Sequence, residues 1–210
     1  MLKQPVDVNL WTEFHKYFTA FVVEDIRKSL QSNIEVGTII LTTVGIECLS
    51  GYFVGQETER KHFVNFMQVF MPPYAKYADD VYACIRNGLA HDYVIKENSA
   101  TNVTFVFQRN HGEPHLIPTP MSSNVIYLNR EDYANDFLVA QHDYFEKVEN
   151  DQTLWDNAIK RLKSQRGFLT VRPLSQLVTP TTGVSYPGTV ANSSATSLST
   201  GTSSKPQGSV

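Results

Sequence analysis

Cysteine is scarce in this chain, which carries two in 210 residues, Cys48 and Cys84. Both lie in apolar runs of helical spacing, where small buried thiols are common. The opening "MLKQPVDVNLWTEF" has no signal peptide, so the thiols are expected to be reduced and the protein cytoplasmic. The Asn-x-Ser/Thr triplets at Asn102 and Asn192 then have no glycosylation meaning. Long apolar runs are lacking too. The longest, Thr38 to Val44, falls far short of the roughly 20 residues that cross a bilayer, so no membrane partner is expected. Neither sign of charge is in large excess: 18 Lys and Arg against 21 Asp and Glu leave a net charge of −3. No global field draws the chain to nucleic acid or acidic membrane, so a polyanion partner requires a local basic site. There is no internal repeat.

What is present is apolar residues at helical spacing, in a length that suits one domain with a proper core. Leu10, Phe14, Phe18, Phe21, Val22, Ile26 and Leu30 recur every three to four positions, which predicts an amphipathic helix of about six turns. Ser32-Asn33 breaks it. A second helix, about 35–54, is apolar on most sides and reads as the best-buried element. A third, about 57–71, is ended by Pro72-Pro73. A fourth begins near Tyr74 and turns Tyr77, Val81, Cys84, Ile85 and Leu89 inward.

After Tyr93 the texture changes. "NVTFVF" (102–107) and "NVIYLN" (124–129) are β-branched and aromatic, as strands are. The segment between them holds a glycine and three prolines, so the pair predicts a β-hairpin with a long connection, about 102–129. From Glu131 the helical period returns, in one or two closing helices to about Ser164 with a break near Asn150. Basic residues gather at the end of that stretch, which suits a helix C-terminus. Ser, Thr, Gly and Pro then dominate, and from about Thr179 Lys205 is the lone charge. Such a segment lacks the apolar area to offset an ordering entropy of roughly 1–2 kcal/mol per residue. The expected fold class is therefore mainly α. A helical domain over 1–170 carries a small β-hairpin insertion, and a disordered tail covers 171–210.

The chemistry gathers in the fourth helix, at "IRNGLAHDY" (85–93). Asn87 and His91 are one turn apart and share a face, and Asp80, two turns before Asn87, falls on that side. Arg86 and His91 are five positions apart, so in a straight helix they point about 140° apart. They converge only if the helix bends near Gly88 or a second surface closes over that edge. Gly88, costing about 1 kcal/mol in a helix interior, also allows a close backbone approach. An ordinary reading exists as well, since Arg, Asn and His satisfy the last carbonyls of helices.

Arg86-Asn87 followed by His91, closing a helix after three earlier ones, resembles the HEPN family. Its hallmark is Arg, four to six residues, then His, often with a polar residue directly after the Arg. Tyr93 completes an Arg-x4-His-x-Tyr pattern like that of HEPN toxins paired with nucleotidyltransferase antitoxins. The resemblance spans roughly Val6 to Ser164, leaving the hairpin and tail outside the common core. It implies an antiparallel helical bundle and a metal-independent endoribonuclease, with no metal and no cofactor. The site would be composite, at a homodimer interface where Arg86 and His91 of both chains line one cleft. That arrangement also resolves the 140° divergence.

The residue types suit such chemistry. Cleavage without metal uses the ribose 2′-hydroxyl as nucleophile. Histidine, with an ordinary pKa near 6.5, suits proton transfer. A guanidinium offers paired donors to phosphate oxygens as charge builds up. His91 is therefore assigned acid/base work, Arg86 electrostatic stabilisation, and Asn87 the orienting of the imidazole or donation to phosphate. Glu47, in the most apolar helix, holds Arg86 or His91 across the bundle, or else simply pairs with any buried donor, such as a tyrosine or an arginine. Asp79 steers Arg86 from two turns back or is simply solvated. Tyr93 accepts a nucleotidyl group from a cognate antitoxin or merely packs. Three readings follow: a HEPN ribonuclease acting as a toxin or in defence against phage, a non-catalytic HEPN-like module binding a partner protein or nucleotide, and a purely structural bundle. The modest acidity speaks slightly for the second, while the Arg86/His91 spacing keeps the first ahead and the structural bundle last.

Overall fold

Proline sets where the chain first coils: α1, Pro5–Phe18, opens on Pro5, a residue preorganised for the first helical position. The computed structural model describes residues 3–109 and 112–165, with only the backbone of Ala90 and His91. Helix α1 passes through a π-helical turn, Thr19–Val23, into α2, Glu24–Gln31. The expected long helix is thus continuous, but its buried stripe steps from Phe18 to Val23 before resuming at Ile26. The extra residue of the π turn accounts for that five-residue step. Asn33, at φ 53°, ends the helix where "SN" was expected to break it.

Helix α3, Glu35–Val54, is the centre, packing against α2, α4, α7 and α8. Ile39, Ile46 and Leu49 are fully buried. Its polar residues are satisfied internally: the Thr42, Thr43 and Ser50 hydroxyls donate one turn back to the carbonyls of Thr38, Ile39 and Ile46, the usual solution for such side chains inside a helix. Gly55, left-handed at φ 71°, stops it. Among the described residues α3 is the one helix long and apolar enough, by length and composition, to cross a membrane. Here 56% of that apolar window is buried within the fold.

Helix α4, Arg60–Phe70, starts three residues later than the spacing suggested, because Glu59 and His62 form a capping box ahead of it. Pro72-Pro73 end it in a single 3-10 turn, Pro72–Tyr74. The fourth expected helix follows as α5 (Ala78–Asp80), a π-helical turn (Val81–Arg86) and α6 (Asn87–Asp92). Val81, Cys84, Ile85 and Leu89 all point inward. Helices α7, Arg130–Asn150, and α8, Gln152–Ser164, close the domain. The break between them is Asp151, whose carboxylate caps the Thr153 and Leu154 amides. An aromatic cluster of Trp11, Phe14, Phe145 and Trp155 joins α1, α7 and α8.

The hairpin expectation is corrected. Strand β1 (Thr104–Gln108) runs parallel to β3 (Ser122–Asn129), and the short β2 (Pro118–Thr119) pairs antiparallel on the other side of β3. The connection is long enough to return the chain to the starting end, which a parallel pair requires. Pro118 sits on an edge, where a missing N–H costs least. The disordered-tail expectation and the 171–210 boundary lie outside the described residues.

His115 ties the sheet to the bundle. Its Nδ1 accepts the Asn129 amide at 2.9 Å, so Nε2 carries the proton and faces Tyr74 Oη at 2.8 Å. Tyr74 Oη then donates to Asp136 at 3.0 Å. Burial pushes the His115 pKa down, against the pull of Asp132 and Asp136. The folded state therefore binds fewer protons here than the unfolded one, and His115 contributes a loss of stability as pH falls through about 6.5. Asp136, pushed up by burial, acts with the opposite sign closer to the carboxylate range. His115→Gln is expected to flatten the stability profile between roughly pH 6 and 7, measured by urea unfolding. His15 shares the direction of shift and is present in both proteins, so an unchanged slope in the variant would refute the role of His115.

Candidate functional site

The motif helix is not a straight α-helix. The Asn87 amide bonds to the Tyr82 carbonyl, five residues back, closing the π turn that ends at Arg86. One extra residue rotates everything before it by about 100° relative to everything after. That rotation corrects the expectation for Asp79. It does not face Arg86 but makes a two-point pair with Arg60 of α4, Oδ1 lying 2.6 Å from Nε. Asp80 likewise leaves the Asn87 side: it is buried and accepts from Asn98 Nδ2 at 2.7 Å and Thr101 Oγ at 2.5 Å.

Arg86 meets Glu47 of α3 instead. Its Nη2 lies 2.6 Å from Glu47 Oε1 and its Nε 3.1 Å from Oε2, the fork geometry that fixes a guanidinium's plane. Nη1 donates to Asn87 Oδ1 at 3.1 Å, and the guanidinium carbon stands 5.4 Å from the centre of the Tyr82 ring. Hydrogen bonding to Glu47 raises the Arg86 pKa further above its ordinary value. Both side chains of the pair are about a quarter exposed, so the guanidinium is oriented at an edge. Glu47 pairs with Arg86, the contact that both the holding of Arg86 and a plain structural pairing with an arginine would give. Tyr82 escaped the sequence reading, although its place one turn before Arg86 was a usable signal.

Asn87 and His91 lie within α6, a regular helix over those positions, so their backbone sites share a face; the His91 side chain lies outside the described atoms. The helix stops at Tyr93, left-handed at φ 57°, a residue 69% exposed. Gly88 supplies a close backbone approach: a Cβ there would lie 2.2 Å from the Val94 carbonyl oxygen. The returning segment is held by the Lys96 amide on the Cys84 carbonyl and the Val94 amide on the Gly88 carbonyl. The bend considered for Gly88 sits one turn earlier, in the π turn.

Compared with known proteins, the chain matches no family model, no curated protein and no solved structure.

Both cysteines are free thiols. Cys48 is no ready nucleophile, because burial pushes its thiol up to about 12. Among the described residues no group of three or more His, Cys, Asp or Glu side chains is placed to hold a metal ion. What the arrangement does offer is one guanidinium, oriented by a carboxylate, an amide and an aromatic face. The Arg86–Glu47 contact lies between an exposed pair and a buried one, and a double-mutant cycle with Arg86→Met and Glu47→Gln is expected to return a coupling of about 1–2 kcal/mol. Additive effects in thermal unfolding would show that the two side chains do not hold each other in solution.

Proposed function

We propose that this chain is a HEPN-type, metal-independent endoribonuclease of the cytoplasm, acting as a toxin or phage-defence effector from a composite homodimer site. The observation that carries the reading is the fixing of Arg86 by Glu47 at a half-open edge, one residue before the helix that bears His91. A phosphate reaching that edge meets a guanidinium whose orientation cost is already met. Val44, 49% exposed, shares with Ile85 and Leu89 the seam between α3 and the motif helix. Apolar exposure beside the motif suits a second copy of the chain at this edge.

The chemistry runs in one displacement. One His91 takes the 2′-hydroxyl proton, the 2′-oxygen attacks phosphorus, Arg86 stabilises the phosphorane, and the 5′-oxygen leaves with a proton from the other protomer's His91. The products are a 2′,3′-cyclic phosphate and a 5′-hydroxyl. Purified protein treated with a chelator is expected to cut RNA and leave those ends; 3′-hydroxyl ends, or no cutting, would end the proposal. The exposed Tyr93 is the acceptor for a nucleotidyltransferase-like antitoxin.

One observation favours the alternative, a non-catalytic HEPN-like module binding a partner protein or nucleotide. Glu47 neutralises Arg86 locally in a chain whose net charge is already −3. That reading expects binding lost on Arg86→Met and no cleavage under any condition.

A further inference from the structure

Glu47 has a second neighbourhood. Together with Val44, Cys48, Tyr52, Glu57, Thr58, Arg161 and Gln165 it lines a cavity of about 280 Å³. The cavity therefore abuts the Arg86 site, with one carboxylate belonging to both. Its volume lies just under the roughly 300 Å³ at which pockets for drug-sized ligands begin, so it suits a single ring system.

Its lining is built. Arg161, half-buried on α8, has no carboxylate partner among the described residues. With the Gln165 amide turned so that its oxygen faces Arg161, that oxygen accepts from Nη2 at 3.0 Å and from Nε at 3.3 Å, and the amide nitrogen donates to Tyr52 Oη at 2.5 Å. Gly51 keeps the wall open, since a Cβ there would come within 2.9 Å of Thr58 Oγ and 3.5 Å of Arg161 Nε. Val44 and Cys48 add apolar surface, and Glu57 stands exposed at the rim.

The chemistry of that lining selects a class of ligand. Arg161 only donates and Glu57 only accepts, so the occupant must carry donors and acceptors on separate edges. A bare phosphate is anionic, so the Glu57 carboxylate repels it even where a P–OH could donate. Guanine has N1–H and N2–H on one edge and the acceptors O6 and N7 on another, and a guanidinium on O6 and N7 is the commonest specific base contact. Adenine sets its donor and acceptor side by side, cytosine has one donor group, N4, and uracil has a single N–H, so neither pyrimidine offers a carboxylate the paired donors of guanine N1–H and N2–H. We infer that this cavity is a guanine-binding subsite, which seats one base of an RNA strand whose phosphate lies at Arg86. Placing that base within an RNA strand rests on the ribonuclease reading; binding of the base itself does not.

The test is calorimetric titration of the full chain with 5′-GMP, 5′-AMP, 5′-CMP, 5′-UMP and inorganic phosphate. GMP is expected to bind at least tenfold more tightly than any other. Glu57→Gln, a change at an exposed side chain, and Arg161→Met are each expected to weaken GMP tenfold or more, with circular dichroism confirming the fold. Equal affinity for all four nucleotides, competition by phosphate as strong as by GMP itself, or unaltered GMP binding in the Glu57→Gln protein would overturn the inference. GMP binding in a protein that never cuts RNA would keep the subsite and remove the ribonuclease reading. Cleavage with no preference for GMP would do the reverse.

Discussion

Replacing His91 with alanine is expected to lower RNA cleavage by roughly 10²- to 10⁴-fold, the range a positioned proton-transfer group supplies. The loss should fall on turnover more than on substrate binding, because the proton moves only during bond breaking. Stability should change little. Position 91 is in the last turn of a helix, and alanine has the best helix propensity of any residue. Unfolding and cleavage are therefore separate readouts on one purified protein. A His91→Ala protein that folds and still cuts RNA at the original rate would remove His91 from the mechanism. Mixing His91→Ala chains with Arg86→Met chains gives a second result. Such mixed dimers hold one His91 and one Arg86, and because each proton transfer is assigned to a different protomer's His91 they are expected to stay well below half of the parent's activity.

Gly88→Ala should be the most disruptive small substitution near the site. The added methyl would meet the Val94 carbonyl oxygen at 2.2 Å and the Lys96 amide nitrogen at 3.1 Å. Both are backbone atoms, so no side-chain rotation relieves the clash. The returning segment must move, and with it go the Lys96-to-Cys84 and Val94-to-Gly88 hydrogen bonds, each worth about 1 kcal/mol. Crowding of a packed contact adds roughly 1–3 kcal/mol, and the better helix propensity of alanine returns about 1 kcal/mol. The net expectation is a loss of about 2–4 kcal/mol. For a chain of this length that lowers the Tm by roughly 4–16 °C. Amides of the segment following Tyr93 should also exchange faster with solvent. A Gly88→Ala protein as stable as the parent would show that this close approach is not a fixed contact.

Gly88 acts through packed backbone contacts, whereas His91 is assigned to proton transfer. Unaltered cleavage in the Arg86→Met protein would therefore count against the site without touching the fold, and a benign Gly88→Ala would do the opposite.

Much of the helical framework was legible from spacing. Helix α3 matches its expected bounds at both ends, because an apolar run followed by a glycine at the stop is a local signal. Pro72-Pro73 and the break near Asn150 were legible for the same reason: a missing amide and a capping carboxylate act on their immediate neighbours. The inward set from Val81 to Leu89 also stood. The π turns did not show. Whether an amide bonds four or five residues back depends on which stripe the surrounding core accepts, and that choice moved Asp79 onto Arg60. The direction of the strand pair was equally hidden, since "NVTFVF" and "NVIYLN" look alike in parallel and antiparallel ladders.

By itself, then, the sequence determined a mainly helical chain, the positions of its major breaks, and one helix carrying Arg86, Asn87 and His91 in order. Those features arise from interactions within a few residues, so they can be read along the chain. Only the tertiary structure decided that Glu47, 39 residues before Arg86, is its partner, that Tyr74 reaches Asp136 across 62 residues, and that Arg161 joins Glu47 around one cavity. Such pairings depend on how helices seat against one another, and no local periodicity encodes which of several buried donors a lone carboxylate will meet.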